Sequence, residues 1–261
     1  MPEGDTLFRT AAGLRPYLVG RDVLAARAQG PGSVPQIQRV VGRRVDAVEA
    51  HGKNLLIRFD GGLEIRTHLR MNGSWHRYRP GERWRRPPAR ARLVLEVDGA
   101  VAVCFDAPVV ELFETRAERV HPTLSALGPD LLKPDFDAAE AHRRLRAPDR
   151  SAMTISAALL DQRAMAGLGN IWRNETLFAE RVDPFAHVSD IDDATLDRLI
   201  ATGRRLLTAS AGLAPGRAPT RVYRRTGRPC PRCGTAIRSA PLSGDVPRTT
   251  YWCPSCQGGR G

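Results

Sequence analysis

The spacing of apolar positions predicts one helix and then a long run of strands. Residues 5–19, DTLFRTAAGLRPYLV, place Leu7, Ala11, Leu14 and Leu18 on one face at helical intervals, despite Gly13 and Pro16. Asp5 or Thr6 is expected to cap that helix. From residue 21 to about 115 the chain instead shows short apolar runs: RVDAVEAH, NLLIRFD, LEIRTHL, SWHRYR, RLVLEV, AVAVCFD and VVELFE. Asp60-Gly61-Gly62 and Asp98-Gly99 fall between such runs and predict hairpin turns. Many short strands with close turns predict a β-sandwich. After His121-Pro122 the pattern turns helical, over 137–146, 154–163, 170–181 and 192–209. A stretch rich in Ala, Gly, Pro and Arg, 209–219, links to a short C-terminal segment. The expected fold is α+β: an N-terminal helix with a β-sandwich over 1–120, a helical domain over 121–216, and a small module over 217–261.

That module contains four of the five cysteines, Cys230, Cys233, Cys253 and Cys256, spaced C-x2-C, nineteen residues, C-x2-C. Two turns that each present two sulfurs match a structural four-thiolate zinc site. So short a segment cannot bury a core, so one structural Zn2+ would supply its folding energy. Two disulfides are the alternative, which a reducing compartment disfavours. Cys104, in the strand-like AVAVCFD, reads as a small core residue.

Charge changes the picture further. The 261 residues carry a net +12, with 38 Arg and only two Lys, Lys53 and Lys133. The excess is concentrated: residues 66–92 and 217–261 each carry +8, leaving the remainder at −4. Two basic patches are the footprint of a polyanion-binding surface, or else two solvated arginine-rich stretches. No apolar run approaches a membrane span, and MPEGDTLFRT has no leader-type apolar core, so a soluble, cytoplasmic protein is expected.

The candidate chemistry starts at the N-terminus. Removal of Met1 would leave Pro2 with a secondary amine. An α-amino group has a pKa of about 7.7–8.0, so part of it is an uncharged nucleophile at neutral pH. A helix N-terminus just behind it lowers that value further. Such an amine can attack a sugar C1′ and form an iminium, with Glu3 beside it to move a proton. Against this, many chains begin Met-Pro, and a glutamate in a first helical turn is an ordinary dipole partner. Lys53, in HGKNL, is a rare lysine in an arginine-rich chain, and its ammonium can transfer a proton where arginine does not readily do so. Lys133, in LLKPD, reads as surface. Gly167-Leu168-Gly169-Asn170 lies between two predicted helices, where free N–H groups and the Asn170 amide could grip a phosphate. Arg248, five residues before Cys253, would ride on the zinc hairpin.

MPEGDT, HGKNL, GLGNIWRNE and PRTTYWCPSCQ occur in one order along essentially the whole chain. In this the sequence resembles the Fpg/Nei family of bifunctional DNA glycosylases, and its M-P-E-G start resembles the endonuclease VIII branch. The resemblance implies a helix–two-turn–helix in the helical domain and a zinc finger behind it. It implies Pro2 as the Schiff-base nucleophile, Glu3 as the proton donor in base release, Lys53 as the donor linked to β-elimination and Arg248 as the donor linked to δ-elimination. Asn170 would bind DNA phosphate. Arg70 and Met71, in L-R-M-N-G-S-W with Asn72, would fill the gap left by a flipped base, although this segment departs from the Nei pattern. The implied partner is double-stranded DNA with damaged bases or abasic sites. The implied activity is base-excision repair with oxidised pyrimidines favoured, by a monomer at a bacterial-type nucleoid.

Two other readings are consistent with parts of the sequence. A zinc-ribbon DNA-binding protein without catalysis would explain the patches and the cysteines but not Pro2, Glu3 and Lys53 together. An N-terminal-proline enzyme for small carbonyl compounds would need neither the patches nor the zinc. A lyase with weak glycosylase activity is a further alternative. If the two basic patches grip phosphates, the logarithm of duplex-DNA affinity falls steeply and linearly with the logarithm of salt concentration. A flat dependence in a filter-binding titration would remove that role.

Overall fold

The computed structural model describes residues 2–30, 34, 36–214, 216, 218–242 and 248–258. Met1, Arg217, Asp245 and Arg260 lie outside the described residues. The chain divides into two compact units, residues 1–126 and 127–261. Among the described residues no helix is long and apolar enough to cross a membrane.

The first unit is a β-sandwich with one helix. Helix α1, Gly4–Leu18, presents Leu7, Ala11, Leu14 and Leu18 on one face, and all four are buried. Glu3, not Asp5 or Thr6, occupies the N-cap position, and its side chain does not cap. The Glu3 carbonyl takes the first helical bonds, from the N–H of Thr6 (3.0 Å) and Leu7 (3.1 Å). Asp5 lies in the first turn, where it accepts from Arg9 one turn on (3.1 Å). Pro16 is accommodated inside the helix.

The strands are β1 (Val23–Ala28), β2 (Val45–His51), β3 (Asn54–Phe59), β4 (Leu63–His68), β5 (Ser74–Tyr78), β6 (Ala91–Val97), β7 (Ala100–Phe105) and β8 (Val109–Glu114). They form two antiparallel four-stranded sheets, ordered β1-β6-β7-β5 and β2-β3-β4-β8. Alternation along each strand points one set of side chains into the space between the sheets. Leu55, Ile57 and Phe59 of β3, Leu63 and Ile65 of β4, and Leu93 and Leu95 of β6 meet the α1 stripe there. Cys104 lies in the same core, 0 % exposed.

Each outer face is covered differently. On the β1-β6-β7-β5 sheet, Tyr78, Val94, Val103 and Phe105 form a second apolar cluster under Trp84, on the segment between β5 and β6. The outer face of the other sheet is polar yet largely covered. Glu64, Arg66 and Asn54 are at most 4 % exposed, beneath a turn of 3-10 helix at Thr115–Val120.

The second unit is helical, with α2 (Ala138–Leu145), α3 (Ile155–Ala158), α4 (Asn170–Ala179) and α5 (Asp193–Ala211) around one core. Asp137, Thr154 and Asp192 accept the N–H three residues on and so cap α2, α3 and α5. The helix expected over 154–163 stops at Ala158. Beyond it Asp161 accepts from Arg150 (2.8 Å) and from the Arg163 N–H (3.0 Å), which draws the chain into a turn. A hairpin of β9 (Arg238–Leu242) and β10 (Arg248–Trp252), followed by the single turn α6 (Pro254–Gln257), completes the unit.

Candidate functional site

In the first unit the register of α1 against β2 decides where the N-terminus falls. Arg15 donates to the Val48 carbonyl (2.9 Å), and the Gly20 N–H donates to the Val45 carbonyl (2.8 Å). Helix and strand therefore run antiparallel. From Arg15 back to Pro2 the chain covers about 20 Å at helical rise, and from Val48 on to Lys53 about 17 Å at strand rise. Pro2, Glu3 and the β2–β3 turn thus arrive at the same end of the sandwich. Pro2 is half-buried and Glu3 is buried, at 0 % exposed.

The turn that carries Lys53 is a two-residue hairpin, Gly52-Lys53, closed by the His51–Asn54 pair. Gly52 has φ 58, the left-handed backbone that glycine adopts without a Cβ penalty. A line of side chains on the outer sheet face holds the turn from below. Asn54 donates to the His51 carbonyl (3.1 Å) and accepts from Arg66 (2.9 Å). Arg66 pairs with Glu111, which also meets His121 (3.1 Å). Beside this line Arg58 binds Glu49, Glu64 and Glu118, and burial pushes the Glu64 carboxyl up to about 7 despite Arg58.

His68 ends β4 opposite Asn54, so it sits at the Lys53 end of the sheet. Burial first, and then the charges of Arg66, Lys53 and Arg70, together lower its pKa to about 4. Its Nδ1 accepts the Arg70 N–H (3.2 Å). The turn from Leu69 to Gly73 therefore starts from this end of the sandwich. Arg70, Met71 and Asn72 are exposed along it, Met71 by 54 %. Pro2, Glu3, Lys53, Arg70 and Met71 come to one end of the first unit. His68, Asn54 and Arg66 join them; Asn54 falls in HGKNL and Arg66 in the 66–92 patch, but nothing in the sequence assigned any of the three a role of its own.

In the second unit Asn170 opens α4 behind Gly169, as expected. Its amide is engaged rather than open: Nδ2 donates to the Thr249 carbonyl (3.1 Å), and Oδ1 accepts from Arg173 (2.8 Å). Thr249 adjoins Arg248, so Asn170 and Arg248 share a neighbourhood. Arg173, fully buried, also donates to the Thr249 carbonyl (3.2 Å), and Asn174 Oδ1 accepts the Tyr251 N–H (2.8 Å). The Glu175 carboxylate takes three N–H groups, of Arg221 (2.8 Å), Val222 (3.0 Å) and Tyr223 (2.9 Å). One helical turn thus fastens both residues 221–223 and strand β10. Only Asn170 of this run stood out in the sequence. The others form a polar stripe on a buried helix, a pattern that carries meaning only once the partner strand is in place.

The sulfurs of Cys230, Cys233, Cys253 and Cys256 all lie within 4.8 Å of one another, with Cys230–Cys256 at 3.9 Å and Cys233–Cys253 at 3.4 Å. Four thiolates about 2.3 Å from a common tetrahedral ion would stand about 3.8 Å apart, so the cluster fits a metal ion. Phe178, Val222 and Ile237 pack against it.

Comparison with known proteins finds relatives along the whole chain. Residues 1–108 match the formamidopyrimidine-DNA glycosylase N-terminal domain, and residues 127–217 match the formamidopyrimidine-DNA glycosylase H2TH domain. A probable endonuclease 8 of Streptomyces coelicolor is 39% identical over 270 residues, covering 99% of this chain and 95% of the relative. A DNA-(apurinic or apyrimidinic site) lyase of Mycolicibacterium smegmatis is 38% identical over 269 residues, covering 98% and 99%. A crystal structure of the Lactococcus lactis formamidopyrimidine-DNA glycosylase, bound to DNA with an abasic site, is similar with a TM-score of 0.86. It is 22% identical and covers 98% of this chain and 100% of that one, a likeness of fold.

The environment of His68 is open to direct measurement. Its ring should titrate near pH 4 by NMR, whereas an unfolded histidine titrates near about 6.5. The unfolded chain then takes up this proton first, so the residue's contribution to stability is lost as pH falls from about 6.5 towards 4. Lys53→Met should raise the value by removing a nearby cation, and a wild-type value near 6.5 would contradict the burial of the ring.

Proposed function

The chain belongs to the formamidopyrimidine-DNA glycosylase and endonuclease 8 family, and from that membership we propose that it is a base-excision-repair glycosylase with abasic-site lyase activity. Its substrate is double-stranded DNA with an oxidised base, pyrimidines favoured, or with an abasic site. The observation that carries the reading is the meeting of Pro2, Glu3 and the Lys53 turn at one end of the sandwich.

After loss of Met1 the Pro2 nitrogen attacks C1′ of a nucleotide turned out of the stack. The C1′–N bond to the base breaks, and Glu3 supplies the proton that the departing base needs. The C1′–O4′ bond of the sugar then opens, with the proton lost from the Pro2 nitrogen passing to O4′, and the resulting iminium acidifies the C2′ protons. Loss of one of them breaks the C3′–O bond, with Lys53 as proton donor to the leaving phosphate. A second elimination breaks the C5′–O bond, with Arg248 as the donor. Asn170 and Arg248 hold phosphate. The N–H groups that open α4 favour an anion there. Met71 and Arg70 stand in the gap left by the turned-out nucleotide, which the exposure of Met71 supports.

Zinc is the metal that the four thiolates would hold, and it would be structural, fixing the hairpin that presents Arg248. A second reading, in which cutting at abasic sites outweighs base release, is favoured by the name of the Mycolicibacterium smegmatis relative.

Three measurements check the proposal. Borohydride should trap wild-type protein on abasic-site DNA with the adduct at Pro2, and an uncleaved N-terminal tag should abolish trapping. A tagged protein that traps equally well would move the nucleophile elsewhere, with Lys53 first in line, and a chain that never traps would be a binder only. Thymine glycol and 5-hydroxyuracil should be released faster than 8-oxoguanine, and the reverse order would overturn the substrate preference. Elemental analysis should find about one zinc per chain. Cys253→Ser should lose the metal and most DNA affinity while the sandwich stays folded, and active protein without zinc would exclude the metal's role.

A further inference from the structure

The turn that carries Met71 is held by side chains to which no catalytic role is given above. Leu69 anchors its start in the sandwich core at 2 % exposed, and the Gly73 N–H donates to the Leu69 carbonyl (2.9 Å) to close the loop. A Cβ on Gly73 would meet that carbonyl oxygen at 2.6 Å, so the closure requires glycine. Inside the loop Arg70 takes left-handed backbone, φ 45, which disfavours any residue with a Cβ. A turn that is strained and projects needs a restraint to keep its shape.

Arg86 supplies one. It lies on the segment between β5 and β6 and donates to the Asn72 carbonyl at 3.2 Å. The same nitrogen donates to the Asp106 carboxylate, at the end of β7. Asp106 is fixed in turn by Arg90 (2.8 Å), and it donates its own N–H to the Arg90 carbonyl (3.0 Å). The segment is itself pinned. Trp84 stacks on Tyr78 at 6.1 Å and meets Phe105 edge-on at 5.8 Å, while the Arg85 N–H donates to the Tyr78 hydroxyl (3.0 Å). The guanidinium is thus presented from a rigid base to the Asn72 carbonyl of the loop.

We propose that Arg86, held by Asp106, is a positioning residue that keeps the Leu69–Gly73 turn in its projecting form, ready to enter the base stack as the damaged nucleotide leaves it. The proposal rests on the reading of Met71 as the gap filler. Ordering the turn in advance spares its ordering during binding, and the benefit falls only on duplex substrates, where a stack must be opened. A single-stranded abasic site presents no such stack.

Arg86→Ala should lower single-turnover release of an oxidised pyrimidine from duplex about tenfold, the scale of one charge-assisted hydrogen bond. Cutting of a single-stranded abasic oligonucleotide should change by less than about twofold, since no stack is opened there and the Arg86 charge is already paired with Asp106 rather than offered to phosphate. Met71→Ala combined with Arg86→Ala should be no slower than Met71→Ala alone. Equal loss on both substrates, no loss on duplex, or additive effects would overturn the proposal. A readout independent of activity uses methyl-labelled methionine. The chain has four methionines, and the Met71 methyl should become more mobile in Arg86→Ala. An unchanged methyl order parameter would overturn the brace. A wild-type protein that neither cuts nor traps would instead overturn the catalytic reading, with the methyl measurement still deciding the brace.

Discussion

The antiparallel lie of α1 along β2 is the constraint on which the first unit's site depends. Leu7, Ala11, Leu14 and Leu18 hold the helix to the core, and Arg15 on the Val48 carbonyl sets its register. A slip of one helical turn would carry the N-terminal nitrogen about 5.4 Å along the axis, well beyond the tolerance of the nucleophile proposed at Pro2, which must meet one carbon. The placement of Pro2 is thus decided thirteen residues away, by packing that takes no part in chemistry.

Much of this was legible in the chain itself. The stripe of α1 could be read from its spacing, and VVELFE matches β8 residue for residue. The four cysteines announced their cluster through spacing alone, and Lys53 stood out as a rare lysine. Strand β1 was not legible: VLAARA is poor in β-branched residues and becomes a strand through its pairing with β6. The helix forecast over 154–163 failed because Asp161 prefers the guanidinium of Arg150, eleven residues away, to a place in a helical turn. The brace beneath Lys53 was illegible for a related reason. Asn54, Arg66 and Glu111 lie on three different strands, and local periodicity says nothing about which strands are neighbours.

The outer face of the β2-β3-β4-β8 sheet shows how a basic protein can bury charge. Arg58 and Arg66 sit among Glu49, Glu64, Glu111 and Glu118, so the arginines beneath the site are neutralised within the fold. The excess positive charge therefore belongs to other arginines. Lone burial of any one of these groups would be costly; as a paired layer they hold each other's geometry.

Glu175 grips residues 221–223, just behind the linker, through three main-chain N–H groups and no side chain. Such a joint does not depend on which amino acids it holds. The identities of residues 221 and 223 can drift over evolutionary time while the hold on the chain leading to the cysteine hairpin persists, because every non-proline residue offers the same donor. At this joint the burden of inheritance falls on the glutamate in α4 rather than on the residues it holds.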